Sequence, residues 1–205
     1  MESKKEINNN GFDYIDLDLP SGTLWATCNV GASRSSDYGL YFQWGDTQGY
    51  DFSQIGKDKQ FNWNDYKWSI DGSDTNFSKY TTKNATLNLE DDAANFHMGG
   101  AWHMPSCDQI KELIENTTST RTILDDVSGR LFVSKKDTSK SIFIPAAGLA
   151  WDGGAYISGN TGNVWSSMTN PYKASYGLYL HFNLVYVHLC IDNRCYGRSV
   201  RGVIG

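Results

Sequence analysis

Two cysteines near the end of the chain are the first candidates for chemistry. Cys190 and Cys195 are separated by four residues and form no Cys-x-x-Cys pair. A structural zinc site usually combines short cysteine spacings with histidines, so this spacing is a weak metal signal. Cys28 and Cys107 stand in apolar surroundings, and we expect core thiols there. The disulfide pattern stays open. We expect no metal ion and no other cofactor.

Two histidines form a second candidate group. His181 and His188 would face the same way if they lie on adjacent strands joined by a turn near residues 183–185. Two neighbouring histidines can bind a metal, but contact with a ligand is the interpretation that we prefer. His97 and His103 flank a Gly-Gly turn, and we expect both to be packed or hydrogen-bonded.

In the last third of the chain, a constant-looking framework alternates with Tyr, Trp, Asn, Asp, His and Ser. Such side chains offer contact area and hydrogen bonds at low entropic cost, whereas a catalytic site repeats a few fixed groups. We predict a ligand-binding face built from residues 150–163, 168–176 and 181–196. Its candidate residues are Trp151, Asp152, Tyr156, Ser158, Asn163, Tyr172, Tyr176, His181, Asn183, Tyr186, His188, Asp192, Asn193 and Tyr196.

Composition argues against several functional classes. The chain has 205 residues, a formal net charge of −5 and a sequence pI of about 5.3. It has no basic stripe, so we expect no nucleic-acid binding. No apolar run approaches the roughly 18 residues of a membrane span, so we expect no membrane insertion. The polar start fits either a protein without a secretion signal or a mature chain with an added Met.

The elements that must position these residues are expected to form one domain. Residues 1–11 are predicted to be a disordered leader, and residues 12–205 the domain itself. Residues 46–86 are polar but dotted with aromatic residues, which is typical of a long loop packed on its own body. The tryptophans predicted to lie in the core are Trp25, Trp44, Trp102 and Trp165. We predict that Trp151 is an exposed aromatic anchor in a turn.

Two helices are expected in the middle of the chain. An acidic first turn predicts a helix over residues 89–97. Ser106 and Gln109 form a capping-box pattern, and Ile110 and Leu113 follow on one helical face. Short strands are predicted before residue 46 and after residue 116, including 163–166, 176–182, 185–189 and 198–203. Strands, then helices, then strands indicate an α+β fold.

Several motifs occur in a fixed order along residues 14–203. They are DLDLPSGTLWATCNVGA at 16–32, YGLYFQWG at 38–45, LEDDAA at 89–94, GGAWHMP at 99–105, IPAAG at 144–148, WSS at 165–167 and SVR at 199–201. Together they resemble the Fibrobacter succinogenes major paralogous domain family, whose members are abundant in gut Bacteroidetes. Leu184 and Leu189 depart from that pattern, since they are apolar where polar residues are usual.

The resemblance implies a C-type lectin-like fold related to formylglycine-generating enzymes. Such a fold has a mixed, mostly antiparallel sheet, two helices and a large irregular loop lobe. Those enzymes hold copper on a late cysteine pair, which Cys190 and Cys195 do not match, so we expect no catalytic activity. Trp63-Asn64-Asp65 mimics the calcium motif of C-type lectins, but it lies too early and lacks a Glu-Pro-Asn-type partner. We therefore expect no calcium site.

Some relatives within this fold are variable proteins of diversity-generating retroelements. Those systems mutate adenines near the end of a gene, mostly in Asn codons, which then cannot become Lys, Glu, Gln, Met or Trp. Residues 174–205 contain none of these five residue types. A β-rich lectin tail would also disfavour Lys and Glu, so both interpretations stay open.

The resulting expectation is an adhesin-like ligand-binding protein at the cell surface, outside the cell or on a phage particle. Its partner would be a protein or a glycan on a cell surface. The pair Trp151–Asp152 would suit a glycan, and the series of tyrosines would suit a protein. The alternatives are a structural subunit of a cell-surface appendage and an enzyme of the formylglycine-generating type.

Overall fold

The computed structural model describes residues 6–7, 10–157 and 159–205, which form an α+β fold with mostly antiparallel sheets. The helices are α1 (Ala93–Met98) and α2 (Cys107–Asn116). The strands are β1 (Glu6–Ile7), β2 (Asp13–Asp16), β3 (Leu24–Ala26), β4 (Thr117–Leu124), β5 (Val127–Ser134), β6 (Ser141–Pro145), β7 (Leu149–Trp151), β8 (Gly154–Tyr156), β9 (Gly162–Thr169), β10 (Tyr176–Phe182), β11 (Val187–Asn193) and β12 (Val203–Ile204). None of the described helices is long and apolar enough to cross a membrane.

The strands form small sheets rather than one large sheet. Their orders are β1-β2-β3-β12, β4-β5-β6, β7-β8 and β11-β10-β9. The pairing of β12 with β3 joins the end of the chain to its beginning. Part of the predicted leader is ordered, because β1 pairs with β2 and the Asn10 side chain donates to the Met98 carbonyl at 2.8 Å. Residues 1–5, 8 and 9 lie outside the described residues.

The helix signals in the sequence are confirmed for α2 and corrected for α1. Ser106 caps α2 with its hydroxyl and receives the reciprocal bond from Gln109, as the capping-box pattern predicts. The predicted helix over 89–97 is instead a 3-10 turn at Leu89–Asp91 followed by α1. The break occurs at Asp92, whose carboxylate accepts the backbone N–H groups of Asn95 and Met104 and so starts a new helix.

The structure confirms that the tryptophans of the framework motifs lie in the core. The four predicted core tryptophans are fully buried, and Trp151 remains exposed. One apolar cluster lies between α2, β6 and the inner face of β9 and β10, and a second, more aromatic cluster surrounds Trp44, Trp102 and Trp165. These clusters provide the rigid support on which the last third of the chain rests.

Buried arginines tie the end of the chain to that support. Arg201 is fully buried and donates to Asn29 Oδ1, Ala26 O and Phe143 O. Burial lowers the pKa of Arg201 to about 10, and these acceptors satisfy the guanidinium.

Arg194, a second buried arginine, contacts aromatic side chains of residues 46–86, which we call the aromatic loop. The Arg194 guanidinium lies 5.3 Å from the Trp44 ring centroid, 5.5 Å from that of Tyr66 and 4.2 Å from that of Phe77. Its Nη1 donates to the Tyr80 carbonyl at 3.0 Å. Residues 46–86 therefore pack on the body through their own aromatic side chains, as the sequence predicts.

Candidate functional site

The hairpin of β10 and β11 separates its residues onto two faces. His181 pairs with His188, and Leu180 pairs with Leu189. Because side chains alternate along a strand, Tyr179, His181, His188, Cys190 and Asp192 share one face. The opposite face carries Leu178, Leu180, Phe182, Val187, Leu189 and Ile191. The prediction that both histidines lie side by side on adjacent strands is confirmed.

The apolar face packs into the core. Leu180 and Phe182 are buried, and Val187 and Leu189 pack against the same cluster. The packing of Leu189 gives the physical reason for an apolar residue at this position. Apolar packing on one face therefore stabilises the hairpin, and different contacts fix the side chains of its polar face.

On the polar face, aromatic rings contact one another in a row. The Trp165 and Tyr179 ring centroids are 5.7 Å apart, and those of Tyr179 and His181 are 6.2 Å apart. The His181 and His188 centroids are 5.1 Å apart, and the Tyr186 ring follows at 4.8 Å from His188. Tyr186 lies 52% exposed beyond the hairpin turn, so the row runs from the interior to the surface.

A buried amide fixes the orientation of His181. Asn163 is only 3% exposed, and its Nδ2 donates to the Gly148 carbonyl at 2.8 Å. Its Oδ1 therefore points at His181 Nδ1, 2.9 Å away, and accepts the proton that this nitrogen carries. The lone pair of His181 is left on Nε2. Burial, His188 and Arg198 lower the pKa of His181, which favours the neutral ring.

Arg198 joins the hairpin to the preceding loops. Its guanidinium is fully buried and lies 4.0 Å from the Tyr179 ring centroid, 4.4 Å from that of Trp165 and 5.8 Å from that of Tyr196. Nη2 donates to Asp192 Oδ2 at 2.6 Å. Nε and Nη1 have no hydrogen-bond partner among the described residues, so the stacked rings are their main neighbours.

The hairpin of β7 and β8 extends the row beyond Tyr196. Asp152 and Gly153 both have positive φ, of 46° and 74°, as a two-residue turn of type I′ requires. Trp151 precedes this turn, is 43% exposed, and lies 5.8 Å from the Tyr156 ring centroid and 5.7 Å from that of Tyr196. The sequence placed Trp151 in a turn, whereas the structure places it at the end of a strand.

These contacts form one continuous feature, which we call the aromatic belt. It consists of Tyr156, Trp151, Tyr196, Arg198, Tyr179, His181, His188 and Tyr186. The exposed ends are Trp151–Tyr156 and Tyr186, and the buried middle is the Arg198 stack. Two of the predicted binding segments, 150–163 and 181–196, are thus linked by a continuous series of ring contacts.

No family model matches the chain, and no match was found among curated proteins or solved structures.

Six of the sequence-predicted contact residues lie in the belt, and Asp152 and Asp192 flank it. The six are Trp151, Tyr156, His181, Tyr186, His188 and Tyr196. Asn193 closes the turn after β11, where its carbonyl accepts the Tyr196 N–H at 3.1 Å.

The remaining predicted contact residues do other work. Asn163 is buried and positions His181, so its prediction as a contact residue is corrected. Asn183 caps the hairpin turn, because its Oδ1 accepts the N–H groups of Val185 and Tyr186. Among the described residues, no ring contact joins Tyr172 or Tyr176 to the belt. Ser158 lies outside the described residues.

Tyr179 and Arg198 belong to the belt but were not singled out from the sequence. Tyr179 shares the period-two face of His181, so alternation along β10 could have found it. Arg198 is brought in by long-range packing, which a short sequence pattern does not record.

The aspartate side chain of the triplet that resembles a calcium motif makes structural hydrogen bonds. Asp65 of the Trp-Asn-Asp triplet accepts the N–H groups of Gln60, Phe61 and Asn62 and the Gln43 side-chain amide. Within the described residues, no three or more His, Cys, Asp or Glu side chains lie close enough together to hold a metal ion.

All four cysteines are free thiols. Burial raises the pKa of Cys190, so the thiol form is favoured, and its Sγ lies 2.8 Å from His188 Nε2. Burial also raises the pKa of Cys195. A reactive cysteine needs the opposite shift, toward the thiolate.

Proposed function

We propose that this chain is a non-catalytic, adhesin-like ligand-binding module of the C-type lectin-like fold, and that the aromatic belt is its contact surface. The observation that carries the proposal is the continuity of the belt. Exposed rings at Trp151, Tyr156 and Tyr186 are linked through a buried arginine stack, so their positions are set before a ligand arrives. Aromatic anchors that are rigid in advance lose little entropy on binding.

The architecture supports the fold assignment in this proposal. The described residues have mostly antiparallel sheets and two α-helices, which agrees with what the family resemblance implies. The long loop of residues 46–86 is consistent with the irregular loop lobe of that fold. The framework motifs supply the buried tryptophans, and the segments between them supply the belt. The raised pKa values of Cys190 and Cys195 support a non-catalytic role. The proposed setting is a cell surface, the extracellular space or a phage particle.

Diversification by a retroelement is part of the proposal. The exposed or half-buried side chains of Tyr156, His181, Tyr186 and His188 could change without opening the core, because the apolar face holds the hairpin. Arg194, Arg198 and Arg201 are fully buried and would stay constant.

Sequencing of many copies of the source locus tests this proposal. We expect a near-repeat of the final codons with Asn codons at Tyr156, His181, Tyr186 and His188, beside a reverse-transcriptase gene. Amino-acid changes should concentrate at those positions and spare Arg194. If no repeat exists and changes are spread evenly over belt and core, diversification is excluded.

A structural subunit of a surface appendage is the second candidate, and one observation favours it. In the described part of the chain, β11 is an outer strand of its sheet and pairs on one side only. Such an edge can accept a strand from another copy. Sedimentation of the purified chain over a range of concentrations tests this candidate, which predicts growing polymers. A single concentration-independent species would eliminate it.

A further inference from the structure

We propose that the Trp151 end of the belt is a subsite for a neutral sugar ring. This inference rests on the proposed ligand-binding function and names the chemical class of its ligand. A sugar ring offers an apolar C–H face edged by hydroxyl groups. Its complement is an exposed aromatic face beside fixed polar groups.

The aromatic half of that complement is a platform of three rings. Trp151 lies between Tyr156 and Tyr196, tilted by 31° and 48° to them. Trp151 and Tyr156 are each about half exposed, whereas Tyr196 is partly covered. Tryptophan and tyrosine give large contact area with few rotatable bonds, so a ring that stacks here binds at low entropic cost.

The platform has little freedom to move. Ala150 and Gly197 exchange two backbone hydrogen bonds of 2.8 Å, which tie β7 to the chain beside Tyr196. The Gly153 N–H donates to the Gln60 carbonyl at 2.7 Å and anchors the turn on the aromatic loop. Glycine is favoured at 153, because its backbone is left-handed, with a φ of 74°, and a side chain there would be strained.

The polar half lies at the same turn. Asp152 is exposed, and its Oδ1 accepts the Asn62 side-chain amide at 3.1 Å. Asn62 is itself held, because its Oδ1 accepts the Asn64 N–H at 3.0 Å. The Asp152 carboxylate can accept further hydrogen bonds, and sugar hydroxyl groups can donate them.

The charges near the platform favour a neutral sugar over an acidic one. Asp152, at the turn beside the platform, carries a negative charge, and Arg198 is fully buried and paired with Asp192. An acidic sugar would face like charge at Asp152 without reaching that arginine. The subsite therefore fits a neutral hexose unit better than a sialic or uronic acid.

Glycan-array binding of the full-length chain tests the inference. We expect binding to oligosaccharides that carry neutral hexoses, and a loss of at least tenfold in affinity for Trp151→Ala, as for a hot-spot aromatic residue. Trp151→Phe should retain part of the binding, and Asp152→Asn should weaken it while keeping the turn. Phe96→Ala is the matched control, because Phe96 is an exposed ring on α1, outside the belt.

A second measurement requires no substitution. Addition of methyl glucoside, methyl galactoside or methyl mannoside should shift the Trp151 indole N–H signal in the NMR spectrum and leave that of buried Trp25 in place. The inference is overturned if no neutral glycan binds, if only acidic glycans bind, or if Trp151→Ala binds as wild type does. The proposed function would survive that result if natural variation still concentrated on the belt, since a protein ligand would remain.

Discussion

The two faces of the β10–β11 hairpin share one backbone and differ in what holds them. The inner face is held by burial, with Leu180 and Phe182 inside an apolar cluster. The outer face is held by specific contacts: an amide that orients His181 and an arginine that lies among three rings. Because apolar packing of the inner face stabilises the hairpin, the fold depends little on the exposed side chains of the outer face. Those side chains can therefore serve in ligand contact.

The largest expected effect comes from emptying the inner face. Phe182 is 1% exposed and contacts the Phe132 ring at a centroid distance of 6.4 Å. Phe182→Ala should lower the free energy of unfolding by about 3–5 kcal/mol, because it leaves a cavity that the sheet cannot close. Urea unfolding measures this. A loss below about 1 kcal/mol would show that the inner face does not hold the hairpin.

A smaller effect is expected at the buried centre of the belt. Asp192→Asn removes the carboxylate partner of Arg198 and leaves a buried cation that contacts aromatic rings and a neutral amide. The Asp192 side chain is 30% exposed, so solvent reduces the cost, and we expect a loss of about 2–3 kcal/mol.

Arg198→Met is the matched comparison for that substitution. It fills similar volume without a charge and should cost less than Asp192→Asn in the same urea titration. The reverse ranking would mean that the stacked rings, rather than the ion pair, stabilise the buried cation.

The next prediction concerns pH and the neutral ring of His181. Its folded pKa is depressed below the ordinary value of 6.5 by burial, by His188 and by Arg198. The unfolded chain therefore binds a proton first, so this contribution to stability is fully present above pH 6.5 and is lost as the pH falls through the folded pKa. The groups facing the ring are His188, Tyr179, Tyr186 and Asn163, and the positive charge of Arg198 also acts on it.

Unfolding midpoints measured between pH 7.5 and 5 check this direction. His181→Gln should flatten that part of the profile relative to wild type. A wild-type profile that rises toward acid, and that the substitution leaves unchanged, would contradict the neutral-ring assignment.

The smallest effect is expected at the exposed end of the outer face. Tyr186 is half exposed and packs mainly on His188. Tyr186→Ala should change the free energy of unfolding by no more than about 0.5 kcal/mol, as is usual for surface positions. Thermal unfolding measures it. A loss as large as that of Phe182→Ala would remove the distinction between the two faces.

The sequence predicted the core residues that lie beneath the aromatic belt better than it predicted which residues form the belt. The buried tryptophans, α2 and the facing histidines could be predicted, because capping, alternation and apolar spacing are local signals. The Arg198 stack could not, since it depends on partners far along the chain. The β7–β8 hairpin was not predicted, although its two-residue Asp-Gly turn is a local signal. Asn163 was misassigned because its polarity resembles that of a surface residue, while its two hydrogen bonds satisfy it in the interior.

The most direct test of the central claim compares two double variants. Trp151→Ala with Tyr186→Ala removes both exposed ends of the belt, and Phe96→Ala with Ile123→Ala removes two exposed apolar side chains outside it. Fluorescently labelled wild type and both variants would be measured for binding to intact bacterial cells by flow cytometry. The account predicts at least a tenfold loss for the belt variant alone, with both variants still folded. Equal binding by the belt variant and wild type, or equal loss in both variants, would contradict it.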